Sequence, residues 1–371
     1  MKNVLIIGGG ATGAGIAAEA ARRGFSVTLV ERGGLGAGTS GSFHGMLHSG
    51  ARYVVNDPAV AAACYAENQR LRRLIPSAIV DTGGLFVAMT EEEAQHADKL
   101  IAACKQVGIP ATEVSVEETL QIEPNLNSSL LRSIRVPDAT IDGKEVLRLS
   151  KQSALDAKAP AVIMTNHEVI SLQREGGNIK SVSVRSLKDG RTIVLPCDYL
   201  INAAGVWAGE VAKMADQELY MTFDKGTMVV LQKQLTKTII NRCRPESDGD
   251  LLVPFDGHTI LGTTARVVVS PDDSKPTQEE VTSLVRECSE LVPEVATTEF
   301  LQVYAGVRPL FREVDVAIPA SSRLMSRSFK VQDHVNQGLE NMMSVVGGKV
   351  TLYQLMAEQA VDLLQVKTNS F

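Results

Sequence analysis

The spacing of apolar residues changes character along this chain, and the changes predict its elements. Asn3 to Ile7 runs into a continuous apolar stretch, as in a strand buried on both faces. Gly8, Gly10 and Gly13 then form GxGxxG. Ala14 to Arg23 is rich in alanine and reads as a helix that Gly24 ends. Ser26 to Val30 is a second strand, closed by Glu31. Strand, glycines, helix, strand and acid fall in order within about 30 residues, the start of a dinucleotide-binding βαβ unit. Glycines let a backbone approach a pyrophosphate, and the helix N-terminus offers free N–H donors. Glu31 is placed to accept hydrogen bonds from ribose hydroxyls. A glycine-rich turn without a ligand is the competing reading, and the complete context disfavours it.

The later pattern departs from a nicotinamide domain, which would keep alternating strands and helices for about 150 residues. Pro58 to Leu74 reads as a helix, "VDTGGLFVAMT" as a strand and Glu91 to Val107 as a helix. "VSVEETLQIEPNL" is a short helix and loop, "SIRVPDATIDG" a strand, turn and loop, and Lys144 to Ala157 is helical. Nucleotide-type patterns return twice. "CDYLINAAGVWAGEVA" is a strand, a small-residue turn at Ala203, Ala204 and Gly205, and a helix. "ENMMSVVGGKVTLYQLMAEQAVDLL" is a strand, Gly347-Gly348-Lys349 and a closing helix. Between them, "MTFDKGTMVVLQ", "HTILGTTARVVV" and "EFLQVYAGVRPLF" read as strands of another sheet, with a helix near Thr277 to Leu291. The fold class is therefore α/β, α+β overall. A discontinuous Rossmann-like unit (1–80, 145–215 and 325–371) would be interrupted by an antiparallel-sheet substrate or cap unit (81–144 and 216–324). Several distant segments meeting one ligand suit FAD better than NAD.

Composition narrows the class. A chain of 371 residues suits two domains. With 44% hydrophobic and 22% charged residues it reads as a globular protein. A net charge of −6 without long charge runs excludes general nucleic-acid binding. Cys64, Cys104, Cys197, Cys243 and Cys288 are scattered without a CxxC pair, so no metal site is expected and a reducing compartment is. No run reaches the roughly 18 apolar residues of a membrane span. The N-terminal apolar stretch is a strand followed by glycines rather than a secretory signal. The expected location is cytoplasmic, at most peripheral to the inner membrane face.

"GSFHGMLHSGARY", Gly41 to Tyr53, crowds hydrogen-bonding side chains among glycines and serines. It is either a polar surface loop or a segment lying against a flavin, with His48, Arg52 and Tyr53 on the substrate side; the rest of the chain favours the flavin.

Assembled, these segments resemble the FAD-dependent glycerol-3-phosphate dehydrogenase family. The likeness is greatest to the catalytic subunit of the anaerobic bacterial enzyme, whose C-terminal extension this chain lacks. It rests on "IIGGGATGAGIA", "HGMLHSGARY", "VPDATID", "INAAGVW", "INRCRP", "LGTT", "YAGVRPL" and "VVGGKVTLYQLMAE". The resemblance implies a D-amino-acid-oxidase-like flavoprotein fold. It implies oxidation of the secondary alcohol of glycerol 3-phosphate, or a related polyol phosphate, to a ketone. A hydride goes to the flavin, and electrons leave to a quinone or partner protein. By similarity Arg52, Arg308 and Lys349 match the family's active-site cations, and Arg327 a further phosphate-binding arginine. Gln354 stands where the family often has arginine.

The expected catalytic residues are Arg308, Lys349 and His48. Arg308, between apolar residues, needs a partner anion, either substrate or a structural carboxylate. Lys349 at a helix start opposes the dipole, which points to a bound anion. His48 is a base, a hydrogen-bond partner or a covalent anchor, or else a satisfied loop histidine; water is the alternative base. Arg52, Tyr53, Thr263, Thr264 and Arg327 are expected at the substrate. The expected FAD contacts from the first βαβ unit are Gly8, Gly10, Ala11, Thr12, Gly13, Glu31 and Arg32. Thr39, Ser40, His44, Gly45, Leu47 and His48 follow on the next segment. Val169, Ala203, Ala204, Gly205, Trp207, Gly306, Arg308, Gly347, Gly348, Lys349, Val350 and Thr351 complete the set. His167 is placed near the adenine, and Trp207 is read chiefly as packing. Two alternatives compete: an FAD-dependent 2-hydroxyacid or amine oxidase, and a non-catalytic flavoprotein subunit of an electron-transfer complex.

Overall fold

The computed structural model describes residues 1–313 and 322–369. The expected units 216–324 and 325–371 include residues 314–321 and 370–371, which lie outside the described residues.

The first apolar run is strand β1 (Asn3–Ile7), followed by helix α1 (Ala11–Arg22) and strand β2 (Ser26–Glu31). The helix starts three residues earlier than the alanine run suggests, because the glycine loop supplies its first turn. β1 is central in a six-stranded sheet ordered Phe329–Asp333, Met342–Gly347, Tyr199–Asn202, β1, β2, Ala161–Thr165. The first pair is antiparallel and the other pairings are parallel. Side chains alternate across the sheet, so β1 feeds two cores. Val4 and Ile6 pack with Ile16, Ala17 and Ala20 of α1 and with Ala357 and Val361 of the closing helix Tyr353–Asn369. Leu5 and Ile7 face the other way, onto Val169, Ile179, Val182 and Val184. Each such fully buried aliphatic side chain contributes about 1.5–3 kcal/mol.

That second face is covered by an antiparallel meander of His167–Glu175, Asn178–Ser186 and Thr192–Pro196. The meander is not among the expected elements. Its traces in the sequence are the turns "EGGN" and "KDGR", where Gly176 and Gly190 take φ of 59° and 75°.

A nine-stranded sheet forms the other layer. Its longest strands, Met221–Leu231 and Phe300–Phe311, pair antiparallel with Gly226 opposite Gly306 and Asp224 opposite Arg308. Leu85, Val87, Val229, Leu231, Leu252 and Leu261 pack beneath the helix Gln278–Leu291. A capping box of Thr277 and Glu280 starts that helix. The sheet is mixed rather than wholly antiparallel. Ile239–Arg242 runs parallel to Gly84–Ala88, from a distant part of the chain, so no hairpin dictates their direction. A small sheet of Met46–Leu47, Ala139–Ile141 and Ile79–Val80 links the first 80 residues to the segment around residue 140. Among the described residues no helix is long and apolar enough to cross a membrane.

Candidate active site

A cavity of about 690 Å³ is walled by residues of both large sheets. Its glycine-loop end is built mainly from backbone. Gly8 has φ of 108°, and a Cβ there would lie 2.4 Å from the Ala203 carbonyl oxygen. A Cβ on Gly13 would lie 1.9 Å from the Gly8 carbonyl oxygen, so this glycine seats α1 against the loop. Gly13 itself does not line the cavity, whereas Gly8, Gly10, Ala11 and Thr12 do. The Glu31 carboxylate accepts hydrogen bonds from Gly9 N and Gly33 N, each at 2.6 Å. These bonds hold the acid at the cavity wall with lone pairs to spare for hydroxyl donors. Ser40 Oγ accepts from Ala11 N at 2.9 Å. Arg32 stacks over the Trp207 ring at 4.4 Å, so Trp207 is a cavity wall and not only packing. His167 and Val169 line the same end, as do Ala203, Ala204 and Gly205.

The middle is wrapped by the Gly41–Tyr53 segment. Ser42, Phe43, His44, Met46, His48, Arg52 and Tyr53 line the cavity. Gly45 and Leu47 do not. In the short strand Met46–Leu47 the period of two turns Met46 to the cavity and Leu47 into a core with Leu71 and Ala139. Gly45, at φ of 76°, lies against the Phe255 ring. Thr39, Ser40, Gly306, Gly347, Gly348, Val350 and Thr351 also line the wall.

The far end is densely ionic. Arg308 Nη1 donates to Asp224 at 2.5 Å, and Arg308 Nη2 donates to the Thr264 carbonyl at 2.7 Å. Gly226 makes the room: a Cβ there would sit 1.8 Å from Arg308 Nη2. Arg327 reaches the same carboxylate at 3.2 Å, and Asp224 is fully buried. Arg323 bonds Asp248 and the Thr263 carbonyl. Arg52 lies 3.5 Å from Asp250 and 3.7 Å from Glu246. Thr263 lines the cavity. Thr264 does not, because its hydroxyl is buried between Thr227 N and Glu280.

Lys349 is not at the start of an α-helix. Its backbone is extended at φ of −152°, a 3-10 turn Val350–Leu352 follows, and the helix begins at Tyr353. Its ammonium lies 3.4 Å from the centroid of the Tyr53 ring. Among the described residues this buried nitrogen has no oxygen or nitrogen hydrogen-bond partner, and the Cys64 thiol is the polar group beside it. Tyr53 Oη lies 3.3 Å from His48 Nε2, and His48 N donates to Thr351 Oγ1 at 3.2 Å. Burial, reinforced by Lys349, pushes the His48 pKa well below the ordinary histidine value. Burial, with Arg308, Arg52 and Lys349, pushes His44 down to about 3. Burial also lowers Arg308, to about 10, against the opposing pull of Asp224.

The counter-ions Asp224, Glu246, Asp248 and Asp250 and the cation Arg323 are not among the expected site residues. Their trace is the acid-rich "RPESDGD" and a lone aspartate within the buried strand "MTFDKGTMVVL".

Residues 3–351 match the sequence profile of a family described as FAD dependent oxidoreductase. The chain belongs to that family. It is 42% identical over 365 residues to one component of the anaerobic glycerol-3-phosphate dehydrogenase of Escherichia coli strain K12. That alignment covers 97% of this chain and 66% of the relative. The chain thus spans just under two thirds of that relative's length. Among solved structures, L-alpha-glycerophosphate oxidase from Mycoplasma pneumoniae, with FAD bound, matches at a TM-score of 0.80 and 22% identity, covering 98% of this chain and 94% of that one. Glycine oxidase from Geobacillus kaustophilus matches at a TM-score of 0.76 and 20% identity, covering 98% and 95%. These structural likenesses show the fold.

The residues present fit FAD, the cofactor of this FAD-dependent oxidoreductase. The glycine loop presents backbone where side chains would collide, and a Cβ on Gly205 would meet no protein atom within 4 Å. The volume falls within the usual range of ligand sites. The Lys349 nitrogen stands ready for an anionic or electron-rich group.

Proposed function

We propose that this chain oxidises the secondary alcohol of a phosphorylated polyol, glycerol 3-phosphate first among them, to the ketone. The observation that carries the reading is the charge imbalance at the ionic end. Among the described residues two guanidiniums, Arg308 and Arg327, share the carboxylate of Asp224, and the nearby Lys349 ammonium has no oxygen or nitrogen hydrogen-bond partner. A phosphate dianion and a developing alkoxide supply the missing negative charge. The likeness to the Escherichia coli enzyme supports the same substrate. The reading makes 1–80, 145–215 and 325–371 the FAD unit, with 81–144 and 216–324 contributing the substrate side. A quinone or partner protein as onward electron acceptor belongs to the same reading.

The chemistry supplied by bound FAD is acceptance of a hydride from the alcohol carbon. The chain does the rest. Arg327 holds the phosphate, and Arg52 lies beside the substrate. Arg308 and Lys349 stabilise charge that develops on the alcohol oxygen, so they act more on the transition state than on the ground state. His48 is held neutral by burial and can take the alcohol proton. In the tautomer that donates Nε2–H to Tyr53, Nδ1 keeps its lone pair for that proton. An arriving phosphate dianion offsets the surrounding cations and raises the imidazole's proton affinity at the moment it is needed.

The test is anaerobic titration of the FAD-loaded protein. Glycerol 3-phosphate should bleach the flavin's visible absorbance, and inorganic phosphate should compete. Bleaching by an unphosphorylated 2-hydroxyacid or amine, without inhibition by phosphate, would replace this reading with an oxidase of that class. No bleaching by any of them would leave the non-catalytic flavoprotein.

A further inference from the structure

We infer that Glu246 is the specificity residue for the substrate's far end: its carboxylate accepts a hydrogen bond from the terminal hydroxyl of the polyol phosphate. The inference rests on the substrate class proposed above and adds a residue and a contact to it.

Glu246 lies on the loop between the strands Ile239–Arg242 and Leu251–Phe255. It walls the main cavity and also an adjoining one of about 280 Å³ that shares Arg52, Tyr53, Arg323 and Arg327. Of the carboxylates on the main cavity wall, Glu31 is at the glycine loop, Glu168 on the meander and Glu210 on the helix after Trp207. Among the described residues Glu246 is thus the one carboxylate on the wall at the ionic end. Its side chain is 12% exposed. Its ion-pair partner is Arg52, at 3.7 Å, beyond hydrogen-bond distance.

The loop is braced. The fully buried Asp250 accepts from Ser247 N and from Arg244 Nε, the latter at 2.7 Å, and Arg244 also reaches Glu287 at 3.0 Å. Arg323 ties Asp248 to the Thr263 carbonyl. Glu246 is therefore a carboxylate acceptor on a braced support, with lone pairs to spare and Arg52 beside it.

A carboxylate in that place selects in two ways. It needs a donor from the ligand, which a terminal hydroxyl supplies and a methyl does not. It repels an anion, so the phosphate goes to Arg327, which Asp224 anchors, and the hydroxyl end to Glu246 beside Arg52. A site built to bond a hydroxyl rejects the analogue that lacks it far more strongly than an apolar pocket separates two alkyl groups.

The test compares glycerol 3-phosphate with propane-1,2-diol 1-phosphate, which keeps the secondary alcohol and the phosphate and lacks the terminal hydroxyl. In FAD-loaded parent protein, kcat/KM should favour glycerol 3-phosphate by on the order of tenfold to a hundredfold, the size of a hydrogen bond to a charged group. Glu246→Ala should collapse that ratio toward one, and Glu246→Gln, which keeps an acceptor, should retain part of it. Calorimetric binding of the two product ketones should show the same pattern without turnover. If Glu246→Ala slows both substrates equally, the residue only tethers Arg52 and the inference is overturned. A parent that does not distinguish the pair overturns it as well, while leaving the substrate class intact. A parent that oxidises neither removes the substrate class and the inference together.

Discussion

The two ends of the cavity are built by opposite means. At the glycine-loop end the wall is backbone. Gly8, Gly10 and Gly205 leave room, and one acid, Glu31, is pinned by two loop amides. At the ionic end the wall is side chains. Arg52, Arg308, Arg323 and Arg327 are held by Asp224, Asp248 and Asp250, with the Lys349 ammonium above the Tyr53 ring. Backbone suits a large ligand that stays and needs close approach over a long surface. Preorganised charge suits a small anion that must react and leave, because fixed ions need no rearrangement as charge develops. The difference predicts that the two ends fail separately.

The largest separation should come from Arg308→Met. Flavin reduction should slow about 10²–10³-fold, as for loss of one oxyanion donor, while FAD affinity stays at the parental level. Asp224 keeps Arg327 as a partner, so the fold should survive. Stopped-flow reduction with substrate deuterated at the alcohol carbon checks this, and a near-parental rate would remove Arg308 from the chemistry.

Glu31→Ala should do the reverse with a smaller effect. FAD affinity should fall by on the order of tenfold to a hundredfold, about 1.5–3 kcal/mol for hydrogen bonds to a charged group, part of it from the freed Gly9 and Gly33 amides. Reduction of saturated enzyme should stay normal. Fluorescence titration of the apoprotein with FAD measures the first, and unchanged affinity would show that the ribose acid lies elsewhere.

The smallest effect is on acid stability. His44 is held near 3 in the folded protein against 6.5 for the free side chain. Between those values the unfolded chain binds the extra proton, so stability present above pH 6.5 is lost as pH falls toward 3. His44→Asn keeps an acceptor for Met46 N and removes the titration. Urea unfolding at saturating FAD should show the parent losing about 1 kcal/mol more than the variant between roughly pH 7.5 and 5.5. Parallel losses would mean that His44 takes up its proton in the fold as readily as in the unfolded chain.

Much of this was legible because it is local. The βαβ start spans about 30 residues, and every part of it signals through period, glycine or charge. The helices Pro58–Leu74 and Glu91–Val107 follow from apolar spacing between an Asp57 or Thr90 cap and a closing signal. The meander was less legible, because its strands are half exposed and their alternation is weak. Ile170, Ile193 and Val194 face outward against the usual pattern.

The sequence by itself determined the cofactor class, and it singled out Arg52, Arg308, Arg327 and Lys349, since glycine spacing and arginines between apolar residues are statements about single segments. Only the tertiary structure decided which partners those cations meet. Asp224 meets Arg308 because two strands some 80 positions apart pair in that register, and Gly226 leaves the space the guanidinium fills. Thr264 turned from the cavity to Glu280, Leu47 turned into the core, and the Lys349 ammonium came to lie over the Tyr53 ring. Electrostatic partnership is set by distance in space and by what is excluded from water, and neither is written in the spacing of residues along a chain.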